Sequence, residues 1–507
     1  MPGGAHKFSR LETATLGGVL LAAVALALFR LDTYPASWFD EGWFLQVPRN
    51  LALFGQYATL SAEGFRHDDT VLSVAPTLYA PIAILFKLVG VSLVPARLVV
   101  VAYLLAALLA AYLVARQLYG RAVGAAALYL LLFRMEADPF TSTLFLGRQV
   151  MGEVPALAFV LFGCLAWRPA VVRGRVGLSV AAGIMFGLAI VTKLQFVLQL
   201  PAALGVVAVL AWRAGRRLEL SAAIVAAAVS MATLGGWFLC LWGILGTANA
   251  RALLDNLVAL SAPQVRVVSF TAIGQAMKFL LQSTFLLAGL PALLYALLQT
   301  WQERRPDPGR TLLLSVIITC LGWFVFVSVG WPRYAYPILA LANILTAKLL
   351  IDLGDLTSPR AIVTARGAAA ALMLLALPFG HVRTVAADLL AAPDHSVQEL
   401  NRWIESRTPA GTRIETWELE VAFADTARRY HFPPVRLVGK MIAHVQLGVQ
   451  EDLTYDFMQF QPQYLIIGRF AKWTALYPKG FLAHGCRKVA TFGEYDVYEV
   501  AGPATAS

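Results

Sequence analysis

Repeated apolar runs, most of them close to 20 residues long, constrain this 507-residue chain more than any other feature. Coiled as helices, runs of that length match the hydrocarbon thickness of a bilayer. They fall near 12–30, 96–115, 122–134, 153–167, 177–192, 195–212, 220–246, 272–300, 311–330, 334–351 and 361–381, with one more at 74–92. Hydrophobic residues make up 59% of the chain, charged residues 14%, and mean hydropathy is +0.67. A soluble domain carries about 25% charged residues, so this much apolar surface needs lipid as well as protein around it. Disordered, coiled-coil and collagen-like classes are excluded on the same ground. The expected fold class is mainly α, a polytopic transmembrane helical bundle. Lys7 and Arg10 precede the first run as they would in a signal peptide, but no small-x-small cleavage site follows Arg30, so the run is expected to stay as an anchor.

The run at 74–92 decides the topology. Counted as a span, it puts the clusters Arg116/Arg121, Arg168/Arg173/Arg175, Arg213/Arg216/Arg217, Arg304/Arg305/Arg310 and Arg360/Arg366 outside, against the positive-inside rule. This run contains two prolines, Lys87 and Gly90. Laid along the outer surface as an interfacial helix, it returns every cluster to the cytoplasm. The outer loops then keep only scattered cations, among them Arg134, Arg148, Lys193, Arg251, Arg266 and Arg333. We therefore expect eleven spans, with the N-terminus inside and the C-terminus outside.

Three outer segments follow: a long loop at 31–95, a shorter one at 135–152, and a tail from about 386 to 507. Residues 1–385 are thus expected to form the membrane domain, and 386–507 a small extracytoplasmic α/β domain. In the tail, the pattern predicts helices at Val397–Ser406 and Val421–Tyr430. Strands are expected at Thr412–Trp417 and Tyr464–Gly468, with a hairpin of Val489–Phe492 and Tyr495–Val500 around Gly493-Glu494. No internal repeat of the inverted-transporter type is visible.

The four cysteines are too few and too scattered for a disulfide framework, and no histidines cluster at metal-ligand spacing. A net charge of +11 invites a nucleic-acid reading, but no basic cluster is interleaved with aromatics as base stacking requires. No nucleic-acid partner is expected.

Charges at the membrane boundary are costly to bury, so those near span ends repay scrutiny. Asp40 and Glu41 lie within Ser37-Trp38-Phe39-Asp40-Glu41-Gly42-Trp43-Phe44, just past the first span. The plain alternative is that Asp40 caps the helix beginning there. Glu153 opens the fourth span, where the macrodipole favours an acid anyway. Arg148, five residues earlier, can pair with Glu153 or bind an anion. Arg333, in Trp331-Pro332-Arg333-Tyr334-Ala335-Tyr336-Pro337, suits bidentate capture of a phosphate or simple snorkelling to headgroups. Lys193 ends the fifth span, where snorkelling is again the bland option. Together these residues place acids and cations at the outer mouths of several spans, as a reaction on a lipid-linked phosphate would need.

The order of these motifs resembles the GT-C membrane glycosyltransferases, especially the protein O-mannosyltransferases and bacterial aminoarabinose transferases. It runs from Asp-Glu in the first outer loop through Ala75-Pro76-Thr77-Leu78 and Pro95-Ala96-Arg97-Leu98. Arg148-x-x-x-x-Glu153, Gly187-Leu188-Ala189-x-x-Thr192-Lys193 and Pro332-Arg333-Tyr334-x-x-Pro337 follow, over roughly residues 12–350. The resemblance implies a polyprenyl-phosphate-linked sugar donor and an acceptor lipid, glycan or protein on the extracytoplasmic side, with inversion at the anomeric carbon. Asp40 would be the base and Glu153 a second acid, at a place where many members have aspartate. Arg148, Lys193 and Arg333 would take the donor phosphate, and Glu41 and Tyr334 would touch substrate. Many members carry a basic residue where this chain reads Ser73-Val74-Ala75-Pro76, so Arg66 or His67, beside Asp68 and Asp69, would substitute. No resident cofactor is expected, though some relatives use a divalent ion. A bacterial inner-membrane location is implied. The rival readings are a transporter or flippase of lipid-linked sugars, a polysaccharide polymerase or ligase, and a non-catalytic scaffold.

Overall fold

The computed structural model describes residues 10–69, 74, 76–358, 364–423, 425–451, 453–477 and 485–500. Lys7, Ser73, Ala75 and Arg360, which entered the sequence argument, lie outside them. Seven helices are long and apolar enough to cross a membrane: Leu93–Tyr119, Glu153–Arg173, Phe196–Arg213, Arg217–Val265, Phe285–Gln302, Pro308–Phe326 and Pro332–Gly354. Four shorter apolar helices, Leu16–Leu28, Arg121–Phe133, Val176–Thr192 and Ala365–Ala376, occupy the remaining places where the pattern predicts spans. The chain is an integral membrane protein.

The helix expected within 74–92 is Tyr79–Val89, 11 residues long. At 1.5 Å per residue it covers about 16 Å, half the thickness of a hydrocarbon core. It does not span. Two of the arginine clusters meet. Arg168 pairs with Asp307 at 2.7 Å, next to the cluster that contains Arg310, and Trp167 donates to Pro308 O at 3.0 Å.

Several boundaries differ from the hydropathy pattern. The fourth span continues to Arg173, with Pro169 inside the helix near its C-terminal end. The seventh keeps its expected end at Gly246 (φ 73°, ψ 169°), a sharp bend after which a further helix continues to Val265. Beyond the bend it leaves the bundle and packs on the tail helix Val435–Leu447, where Arg436 Nε donates to Asn256 Oδ1 at 2.6 Å. The run 272–300 is broken into Phe270–Gln282, a wide π turn at Phe285–Gly289, and Leu290–Gln302. Pro291, with no N–H to give, follows the wide turn. Helix Phe379–Leu390 runs across the domain boundary expected at 385.

The long first loop is ordered by helix Phe39–Phe54, a small hairpin (Thr59–Ser61 with Gly64–Arg66) and helix Tyr79–Val89. The tail builds a five-stranded sheet in the order Arg429–His431, Arg413–Thr416, Tyr464–Ile467, Tyr495–Val500 and Cys486–Phe492. The first three strands are parallel, and the last two form the expected hairpin. The helix expected at Val421–Tyr430 is instead one turn, Leu419–Ala422, followed by the edge strand. Asp425 explains the difference: its carboxylate accepts from Ala427 N at 2.8 Å and Arg428 N at 3.4 Å, turning the chain back. Helix Val435–Leu447 has no counterpart in the sequence reading.

Helix Phe39–Phe54 docks directly on the tail. A Cβ on Gly42 would lie 2.2 Å from Glu420 N and 2.6 Å from Glu420 Cα, so only glycine allows this approach. Gly42→Ala is expected to push the tail off the helix. Limited proteolysis should then cut the tail faster, and unchanged protection would refute the close-packing role.

Candidate active site

The first turn of helix Phe39–Phe54 carries both Asp40 and Glu41. Two acids are favoured there by the macrodipole, yet neither caps the helix: Trp38 holds the N-cap position without a side-chain bond. The side chains diverge. Glu41 turns inward and is fully buried against Arg97, with Arg97 Nε to Oε1 at 2.9 Å and Nη2 to Oε2 at 2.6 Å. It also accepts from Val150 N at 2.9 Å. The expectation that Glu41 touches substrate is corrected: both its oxygens are used in joining the two outer loops to helix Leu93–Tyr119.

Asp40 turns the other way, into a cavity of about 790 Å³, where it forms an ion pair with Arg333. Arg333 stands in a 3₁₀ turn, Pro332–Ala335, that opens helix Tyr336–Gly354. Its guanidinium lies 4.7 Å from the centroid of Trp331 and 5.6 Å from that of Tyr334. These rings hold the cation through their quadrupoles without neutralising it. Arg333 Nε is buried with no protein acceptor. Tyr334 lines the same cavity and donates to Gln264 Oε1 at 3.0 Å.

Lys193 enters the cavity wall from the end of helix Val176–Thr192 and pairs with Glu153 at 2.5 Å. The two meet because Gly152 lets the strand of chain before Glu153 press on the helix end: a Cβ there would lie 2.7 Å from Thr192 O. Glu153 is fully buried behind Lys193, and its Oε2 has no protein donor. It is not on the cavity wall, so direct contact with substrate requires Lys193 to move.

The expected third cation is elsewhere. Arg148 is fully buried, donates to Phe29 O, and stacks at 4.8 Å on the Tyr34 ring. It pairs with neither Glu153 nor the cavity; Tyr34 and Gln149 face the cavity in its place. Arg66 and His67 also lie off the wall. Arg66 bonds Glu63 at 3.0 Å, Asp69 at 3.4 Å and Phe432 O at 2.8 Å, and His67 Nδ1 lies 3.0 Å from Tyr57 O. They fasten the first loop to itself and to the tail. Neither replaces the cation missing at Ser73–Pro76.

Other groups on the wall escaped the sequence reading. Asp138, from the second loop, caps Phe140 N at 2.8 Å, and burial raises its carboxyl against the opposing pull of that N–H and of Arg333. Glu418, Glu420, Tyr495 and Arg469 come from the tail. Of the three acids in Glu415–Glu420, Glu415 is off the wall: it is buried against His431, Tyr455 and Tyr477. Nothing in spacing alone separates Glu415 from Glu418 and Glu420, because the sheet decides which face each one occupies.

The cavity thus has two sides. Lys193 and Arg333 bring positive charge from the helical bundle, while Asp394, Glu418, Glu420 and Glu494 bring negative charge from the tail, and Asp40 stands between them on the first loop. Among the described residues, no group of three or more His, Cys, Asp or Glu is placed to hold a metal ion. Asp40 and Glu153 are each already paired with a cation.

The fold that builds this cavity coincides with a known one. The chain superposes on the crystal structure of ArnT from Cupriavidus metallidurans bound to undecaprenyl phosphate over 97% of its own length and 99% of that chain, with a TM-score of 0.62 and 16% identity. The chain has the GT-C fold. The archaeal oligosaccharyltransferase AglB from Archaeoglobus fulgidus, in complex with an inhibitory peptide and a dolichol-phosphate, matches with a TM-score of 0.56 at 14% identity, over 98% of this chain and 75% of that one. A family model described as dolichyl-phosphate-mannose-protein mannosyltransferase matches residues 73–239. No relative is found among curated proteins. On the GT-C frame, residues 73–239 hold Glu153 and Lys193, whereas Asp40 and Arg333 lie outside the family match.

Proposed function

We propose that this protein is a glycosyltransferase that moves a sugar from a polyprenyl-phosphate-linked donor to an acceptor on the extracytoplasmic side, with inversion. The observation that carries this reading is one carboxylate, Asp40, meeting Lys193 and Arg333 in one cavity. A phosphate leaving group departs without protonation, so the reaction needs a base for the acceptor hydroxyl and cations for the departing charge. Asp40 is that base. Arg333 and Lys193 take the phosphate, with Arg333 able to present two parallel N–H groups. In the free protein Arg333 holds Asp40. An arriving phosphate competes for the same guanidinium and releases the carboxylate beside the acceptor. Glu153 orients Lys193 from behind. The fold shared with ArnT, whose structure holds undecaprenyl phosphate, and with AglB, whose structure holds a dolichol-phosphate, supports a lipid-linked donor.

The arginine clusters at the opposite ends of the helices support a cytoplasmic face there, with the cavity and the tail, 386–507, outside an inner membrane. A volume of about 790 Å³ suits a sugar phosphate with part of its lipid and acceptor.

The direct test is purified full-length protein in lipid nanodiscs with radiolabelled polyprenyl-phosphate monosaccharides and a membrane-lipid extract as acceptor. Labelled product supports transfer, and its absence across hexose and pentose donors refutes it. Arg333→Ala is expected to raise the donor KM at least about tenfold, the scale of one lost charge-assisted contact. Arg333→Lys should restore part of that loss. An unchanged donor KM in Arg333→Ala would remove the phosphate role.

A further inference from the structure

The tail's side of the cavity contains an arrangement that the transfer chemistry does not use. Glu418 is fully buried, and its carboxylate accepts three backbone amides: Gly468 N at 3.1 Å, Phe470 N at 3.4 Å and Ala471 N at 2.9 Å. Glu420 is 4% exposed. Its Oε1 accepts from Tyr495 OH at 2.8 Å, while Oε2 has no protein donor. Burial raises both carboxyls, and the charge of Glu418 raises Glu420 further. Glu418 is held in place by its three amides.

A buried carboxyl with a free oxygen costs stability that an apolar side chain would not. Packing alone does not explain Glu420. Beside it, Phe470 and Trp473 present rings 5.7 Å apart to the same cavity, with Trp473 41% exposed. Phe470 also stacks on Phe39 at 3.6 Å, one residue from Asp40. Two buried carboxyl groups, one with an oxygen the protein leaves without a partner, and a flat apolar surface are the complement of a sugar ring. Such a ring offers neighbouring hydroxyls along its edge and C–H bonds on its face.

We propose that Glu418, Glu420 and Tyr495, with Phe470 and Trp473, form a subsite of the cavity that binds a hydroxylated sugar ring. Resting on the transferase reading, it gives the tail a function: the tail holds the sugar while the bundle's cations hold the phosphate. The ring belongs either to the donor or to a glycan on the acceptor, and both present the same chemistry.

Saturation-transfer NMR on the full chain in nanodiscs, with methyl glycosides of glucose, mannose, galactose and arabinose as probes, tests the subsite without any donor. At least one probe is expected to bind saturably. Glu420→Ala should weaken it about tenfold or more, and Glu420→Gln, which keeps an acceptor oxygen and a donor, should recover part of the loss. Trp473→Ala, at a half-exposed position that does not endanger folding, should weaken the same probe. Absence of saturable binding, or equal affinity in Glu420→Ala and Trp473→Ala, overturns the subsite even if transfer is observed. Conversely, glycoside binding without turnover of any polyprenyl-phosphate sugar refutes the transferase reading and leaves the subsite standing. Where turnover is present, a raised donor KM in Glu420→Ala assigns the ring to the donor and a raised acceptor KM assigns it to the acceptor. No rise in either overturns the proposal.

Discussion

Replacing Asp40 with asparagine is expected to lower sugar transfer about 10²–10⁴-fold, the range a positioned general base supplies, while the protein still folds. The amide has nearly the same volume and can still accept from Arg333, so the ion pair becomes a hydrogen bond and the cavity keeps its shape. What it loses is basicity, because an amide does not take a proton from an acceptor hydroxyl. The pair is partly solvated, with side-chain exposures of 13% for Asp40 and 16% for Arg333, so its loss costs little stability. Asp40→Asn should therefore melt near the wild-type temperature and bind donor at least as well, since Arg333 is no longer held by a charge. Turnover within a few-fold of wild type would remove Asp40 from catalysis.

Its neighbour should behave in the opposite way. Glu41→Ala is expected to destabilise the protein by about 3–5 kcal/mol, the cost of leaving a buried charge without its partner. Arg97 is fully buried and spends its other bonds on Leu31 O at 2.8 Å and Pro35 O at 2.7 Å, so it has no route to water. A large fall in melting temperature in detergent, with loss of transfer, is the expected reading. Neutralising both members as Glu41→Leu with Arg97→Met should recover only part of the loss. The carbonyls of Leu31 and Pro35 and the amide of Val150 would still lack partners. If Glu41→Ala melts like wild type, the buried pair is not what holds the two outer loops to the bundle.

Asp40 and Glu41 mark the limit of what local sequence reveals. Both acids sit in one helical turn among the same aromatics, and nothing in the string distinguishes the cavity residue from the strut. The helical screw turns successive residues about 100° apart, so which side chain faces the cavity depends on where the helix is docked. Arg148 and Lys193 differ for a similar reason. Each is a lone cation near a span end, yet one is folded under Tyr34 and the other projects from a helix terminus into the cavity. Glu418 and Glu420 are drawn to the site by a sheet whose strands come from across more than 80 residues, a pairing that no local pattern records.

The sequence by itself determined the lipid environment, the places of the apolar helices, the shortness of Tyr79–Val89, and the edges of most tail strands. These depend on hydropathy and periodicity, which neighbouring residues carry among themselves. Only the tertiary structure decided that Asp40 and Arg333, 293 positions apart, would share a charge, that Glu41 and Arg148 would be buried away from the cavity, and that the tail would complete its acidic wall. Those outcomes come from long-range packing, where one glycine's missing Cβ at position 42 sets which surfaces can meet.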